Sequence, residues 1–199
     1  MEPNSALLIV DMQVDFCPGG ALAVPEGDQI APKLNDYIRL FRAAHRPILA
    51  SRDWHPPETT HFRTQGGPWP PHCIQGTAGA AFHPDLALPQ DVIIISKGMG
   101  AAEDAYSAFQ ARDTEGRLLE ERLRALGVEH LYIGGLALDY CVKASALDAV
   151  AKGFRTTVLV DATRAVNIKP HDGELAIEEL LRAGVDLATI ETLARNKRP

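Results

Sequence analysis

Short apolar runs alternate with longer amphipathic stretches along this 199-residue chain. The runs fall at Leu7 to Val10, Pro47 to Ala50, Val92 to Ile95, Leu131 to Ile133 and Thr157 to Val160, with a weaker one around Leu187 to Ile190. Such short, continuous runs are the pattern of strands buried on both faces. Between them, apolar residues recur with helical spacing at Ile30 to Ala44, Leu118 to Leu126, Tyr140 to Ala151 and Gly173 to Arg182. Three of these stretches stop at a glycine, Gly127, Gly153 or Gly184, the residue that most easily closes a helix. Strand and helix in alternation predict an α/β fold with a parallel sheet covered on both sides. Two segments escape the alternation: Cys17 to Asp28, and the Pro/Gly/His-rich stretch from Trp54 to Pro89. An irregular segment as long as the second, inside a compact domain, is expected to be functional.

Composition narrows the function classes. With 46% apolar residues the chain can bury one core of ordinary size, so residues 1–199 read as a single domain. A net charge of -6 with dispersed lysines and arginines argues against nucleic acid as a partner and leaves a small neutral molecule open. No segment approaches the length of a membrane span, and "MEPNSALLIVDMQ" lacks the basic start of a signal peptide, so no membrane association and a cytoplasmic location are expected. Three cysteines, Cys17, Cys73 and Cys141, are an odd and sparse set for a disulfide framework, which favours reduced thiols. Assembly into a homo-oligomer is compatible with all of this.

Ligands of parallel α/β sheets bind beyond the carboxyl ends of the strands. The residues there are unusually polar: Asp11 after the first run, Asp53 and His55 after the second, Lys97 after the third and Cys141 after the fourth. Singly, each has an ordinary explanation as a cap, a solvated loop residue or a packed thiol. Together at neighbouring strand ends they are costly to bury without a purpose. Asp11, Lys97 and Cys141 supply what thiol chemistry requires. A lysine and a helix amino end stabilise a thiolate, and a carboxylate accepts its proton and passes it to a leaving group.

A second constellation lies in "SRDWHPP" and "WPPHCIQGT". Side chains at i and i+2 of an extended segment point the same way, so Asp53 and His55 can grip one ion, with His72 closing the set. Mixed oxygen and nitrogen ligands suit zinc, with iron and manganese as alternatives, and three protein ligands leave positions open for water or substrate. His61 is a candidate fourth ligand. Cys17 and Cys73 are expected to pack in the core, and His45, His83, His130 and His171 to cap or lie at the surface. Phe16, Trp69 and Tyr106 sit near these sites and could hold a flat ring; Phe62, Phe82 and Phe109 read as core.

The motifs "LLIVDMQVDFCPGGALAV", "SRDWHPPETTHF", "WPPHCIQGTAGAAFHPDL", "SKGMGAAEDAYSAF" and "GGLALDYCVKASALDA" occur in that order. With them the chain resembles the nicotinamidases, or pyrazinamidases, of the isochorismatase-like cysteine hydrolase superfamily. The resemblance implies a three-layer α/β/α fold with a six-stranded parallel sheet. It implies hydrolysis of nicotinamide to nicotinate and ammonia, with pyrazinamide as a further substrate, by a catalytic trio at Asp11, Lys97 and Cys141. It also implies a metal held by Asp53, His55 and His72, a variable fourth position at His61, and substrate contacts from Phe16, Leu22, Trp69 and Tyr106. The oxyanion hole would be the backbone N–H groups of Ala137 and Cys141, next to a cis peptide joining Leu136 to Ala137. Leu138, Met99 and Ala108 depart from the usual pattern. The rival readings are another small-amide or carbamoyl amidohydrolase of the superfamily, whose members generally lack the metal triad, and a non-hydrolytic metal-binding or redox-sensing protein.

Overall fold

The computed structural model describes residues 2–195. Six strands form one parallel sheet: β1 (Ser5–Val10), β2 (Ile48–Asp53), β3 (Ile93–Lys97), β4 (His130–Leu136), β5 (Arg155–Arg164) and β6 (Asp186–Ala188). Their order across the sheet is β3-β2-β1-β4-β5-β6. The chain winds outward in one direction from β1 to β3 and in the other from β4 to β6. Such a reversal, here between β1 and β4, opens a crevice at the carboxyl ends of the central strands.

Period-two alternation within β1 explains the layering. Leu7 and Ile9 face the same core as α1 (Ala31–Ala43), while Ala6, Leu8 and Val10 face the opposite one. Helix α1 buries Leu34, Tyr37, Ile38 and Phe41, a stripe at helical spacing, and α5 (Ile190–Arg195) packs against the same core through Ile190 and Leu193. On the other face lie α2 (Leu119–Ala125), α3 (Lys143–Ala151) and α4 (Asp172–Arg182), through Leu119, Leu123, Ala146, Ala149 and Leu180. Burying one Leu or Phe side chain stabilises by about 1.5–3 kcal/mol, so these two stripes hold the layers together. Gly127, Gly153 and Gly184 follow α2, α3 and α4 with φ between 66° and 86°. No helix among the described residues is long and apolar enough to cross a membrane.

Four expectations are corrected. The strands run further than the apolar runs: β2 and β3 continue to Asp53 and Lys97, because these polar ends pair with each other inside the protein. The last run is split, with β6 ending at Ala188 and Ile190 opening α5. The stretch predicted as one helix from Tyr140 begins as a π-turn, Leu138–Val142, before α3. His130 is neither a cap nor at the surface: it is buried at the start of β4, stacked on Tyr132 and bonded to Glu2 and Thr157, both at 2.8 Å.

Candidate active site

The segment from Trp54 to Pro89 contains a single 3₁₀ turn, Arg63–Gln65, yet it is pinned to the sheet. Gln13, fully buried just beyond β1, does much of this. Its amide donates to the backbone carbonyls of Asp53 and Ala80 at 2.8 and 2.9 Å and accepts from Asp53 N–H at 2.8 Å. Asp15 accepts from Cys73 N–H at 2.7 Å. Cys17 and Cys73 are buried and free, in the core as expected.

The crevice collects the trio. Asp11 follows β1 in a left-handed conformation, φ 47°, and is fully buried. Lys97 ends β3; its ammonium lies 2.9 Å from Asp11 Oδ2 and 3.6 Å from Cys141 Sγ. It also bonds Asp53 Oδ1 and, at 3.1 Å, the carbonyl of Ala105. Cys141 sits in the π-turn that follows β4, and the Leu136–Ala137 peptide before it is cis. Ser51, on β2, donates its hydroxyl to Asp11 Oδ1 at 2.7 Å.

Charge and burial set the protonation. Burial pushes the Asp11 carboxyl up; Lys97 opposes this and Asp53 adds to it. Burial pushes the Cys141 thiol well up, against the attraction of Lys97, with Asp11 and Asp53 adding to the rise. Burial works against the Lys97 ammonium, but Asp11, Asp53 and Cys141 outweigh it and hold its pKa well above the usual lysine value. Burial likewise disfavours the Asp53 carboxylate, but Lys97 outweighs it and holds Asp53 well below the usual range. The resting site therefore holds a lysine cation beside the Asp53 carboxylate, with the thiol protonated.

The second constellation adjoins the first. His55, His61 and His72 bring one ring nitrogen each within 4.8 Å of one another, all three buried. His55 Nδ1 donates to Gly98 O at 3.0 Å and His72 Nδ1 to Pro70 O at 2.7 Å; a carbonyl can only accept, so in the neutral tautomer of each ring Nε2 carries the lone pair. His55 Nε2 is buried without a hydrogen-bond partner. Asp53 Oδ2 lies 3.6 Å from His55 Nε2 and 3.8 Å from His72 Nε2. Converging lone pairs, one of them orphaned, beside a carboxylate are the donor set of a divalent metal, and the residues fit zinc. His61, left open by the sequence, joins the histidine group; its Nδ1 lies 2.7 Å from Asp104 Oδ1. Asp53 has a double part: one oxygen faces the histidines and the other holds Lys97.

Both constellations open into one cavity with about 450 Å³ of empty space, part of it continuous with solvent. Cys141, Asp53, His61 and His72 line it, as do Phe16, Leu22, Trp69 and Tyr106. Trp69 Nε1 donates to the Tyr106 hydroxyl at 2.8 Å, fixing the two rings relative to each other. Tyr140, Val24 and Val166 also line it and were not singled out from sequence. Tyr140 packs edge-on to Trp69, with 5.2 Å between centroids, and as the neighbour of the candidate nucleophile it was a recognisable candidate. Val166 is held in place by Asp139, which accepts from Val166 N–H at 2.9 Å and Asn167 N–H at 2.8 Å. Phe62 is fully buried but packs against the His55 and His72 rings, so it supports the site from the core. Met99 and Leu138 do not line the cavity.

Comparison with known proteins gives a consistent neighbourhood. The isochorismatase domain matches residues 5–192. A nicotinamidase of Escherichia coli is 38% identical over 204 residues, covering 94% of this chain and 96% of the relative. A nicotinamidase/pyrazinamidase of Mycobacterium tuberculosis is 41% identical over 187 residues, covering 92% and 97%. Among solved structures, the pyrazinamidase of Pyrococcus horikoshii in complex with zinc superimposes with a TM-score of 0.87 at 48% identity, covering 94% of this chain and all of the other.

Proposed function

This chain belongs to the isochorismatase domain family, and on that premise we propose that it is a metal-containing cysteine amidohydrolase that converts nicotinamide to nicotinate and ammonia, acting in NAD salvage. The observation that carries the reading is the shared cavity: the Cys141 thiol opens with Asp53, His61 and His72 onto one space walled by aromatic rings, while Lys97 links the sulfur to Asp11 behind it. A carbamoyl substrate needs no anchor for a ring nitrogen, whereas a pyridine carboxamide does. Pyrazinamide offers the same amide and a nitrogen at the corresponding position.

In this reading the pyridine ring lies between Phe16, Trp69 and Tyr106, with Leu22 at the wall. Asp53, His55, His61 and His72 would hold the metal, most fittingly zinc, which when bound supplies a positive anchor for the ring nitrogen. Cys141 gives its proton to Asp11 and attacks the carboxamide carbon. The backbone N–H groups of Ala137 and Cys141 donate to the developing oxyanion, and Lys97 stabilises the Asp11 carboxylate and the thiolate in turn. Asp11 then protonates the departing nitrogen, which leaves as ammonia, and later takes a proton from the water that cleaves the thioester. The single hydrolase domain works best where thiols stay reduced, which fits a cytoplasmic setting.

The experiment is direct: purified, zinc-loaded protein is incubated with nicotinamide, pyrazinamide and a carbamoyl amino acid, and ammonia is measured. The reading predicts release from the two heteroaromatic amides and little from the third. Release from the carbamoyl compound alone would favour the rival amidohydrolase.

A further inference from the structure

We propose that Ser51 is a positioning residue that decides which oxygen of Asp11 serves as the base. The inference rests on the hydrolytic reading above and on a count of protons. An ammonium has three, and those of Lys97 go to Asp53 Oδ1, the carbonyl of Ala105 and Cys141 Sγ. Asp11 Oδ2, 2.9 Å from the same nitrogen, receives its charge but no hydrogen bond. Asp11 Oδ1 is already taken by the Ser51 hydroxyl at 2.7 Å. One carboxylate oxygen is thus occupied and the other is a buried acceptor without a donor, on the ammonium that also holds the Cys141 sulfur.

The proton path follows. The Cys141 S–H bond breaks, its proton forms an O–H bond on Asp11 Oδ2, and the sulfur electron pair forms the bond to the carboxamide carbon. When the tetrahedral species collapses, the C–N bond breaks and the same proton leaves Oδ2 for the departing nitrogen. Ser51 keeps the carboxylate from rotating between these steps. The sheet places it for this: Ser51 lies on β2, is fully buried, and its carbonyl also accepts the Asp11 N–H at 3.2 Å. Backbone and side chain together clamp Asp11 where it leaves β1. Without the hydroxyl, Oδ1 becomes a second empty acceptor and the carboxylate turns freely between the two.

The test is steady-state kinetics of zinc-loaded wild type, Ser51→Ala and Ser51→Thr with nicotinamide, alongside elemental analysis of each. Ser51→Ala is expected to lower kcat by about 10–100-fold, the scale set by misplacing a reacting group by about 1 Å. KM and metal content should stay within about twofold, and Ser51→Thr, which keeps the hydroxyl, should recover most of kcat. If Ser51→Ala does not fold, Ser51→Cys, close in volume with a weak donor, is expected to show the same loss. An unchanged kcat in a folded variant overturns the inference while leaving the hydrolytic reading intact. So does a kcat loss accompanied by metal loss, since Ser51 would then act through Asp53, two residues along. A wild type that releases no ammonia removes both.

Discussion

Asp53 and Lys97 stand opposite each other at the ends of β2 and β3, and their side chains are ion-paired in the protein interior. The pairing joins the two halves of the site, because Lys97 also contacts Asp11 and Cys141 while Asp53 also faces His55 and His72.

Removing the lysine leaves two buried carboxylates without their cation. Lys97→Met is expected to abolish ammonia release and to destabilise the fold by about 3–5 kcal/mol, the usual effect of breaking a buried pair from one side. Urea unfolding checks this. Adding Asp11→Asn to Lys97→Met should recover part of the stability and none of the activity; an unchanged unfolding midpoint in the single variant would contradict the electrostatic account.

The pH dependence has a definite sign. Asp11 must be ionised to act as base, and its pKa in the fold is raised, burial outweighing the help of Lys97 and Ser51. Its working form is therefore complete above that raised value and lost as pH falls through it. The acid limb of kcat/KM should lie above the ordinary carboxylate range, in a pH window where unfolding controls show the protein still native. A limb at the pKa of about 3.9 typical of a free aspartate would count against Asp11 as the base.

Asp104 is mostly exposed, so it can be changed without disturbing the core, yet it lies beside His61 Nδ1. Carboxylates behind metal-binding histidines orient the ring and raise its basicity. Asp104→Asn is expected to weaken zinc affinity by roughly 10–100-fold, measured by competition with a chromogenic chelator. Unchanged affinity would mean that His61 contributes little to the metal.

Gly98 follows Lys97 at φ +65°, where a Cβ would lie 2.4 Å from His55 Cε1. Both the backbone and the ring oppose a side chain there. Gly98→Ala is expected to lower stability by about 1–3 kcal/mol and to lower bound zinc with it, by displacing His55. Thermal melting and elemental analysis read the two effects separately, and full zinc content would show that the ring had not moved.

The parallel sheet and its polar carboxyl ends were legible because both follow from local signals: short unbroken apolar runs, helical periodicity, and polar residues just past the central strands. The chemistry at Asp11, Lys97 and Cys141 was suggested by type and strand position, and the metal pair by the i, i+2 spacing of Asp53 and His55. What escaped depends on three-dimensional detail. Asp53 reads as a ligand, but its pairing with Lys97 comes from the β2–β3 register. His61 lies in irregular chain, where no periodicity says which way a ring points. The π-turn that presents Cys141 and brings Tyr140 to the cavity has no sequence period distinct from the α-helix that follows. His130 looked unremarkable because its partners, Glu2 and Thr157, come from distant parts of the chain.

The central claim is that Cys141 attacks the amide carbon. Acid-quenching the enzyme during turnover of nicotinamide and mapping it by peptide mass spectrometry tests this most directly. A nicotinoyl group on the peptide carrying Cys141, absent together with ammonia release in Cys141→Ala, is the predicted result; a Cys141→Ala enzyme that still releases ammonia from nicotinamide would contradict it.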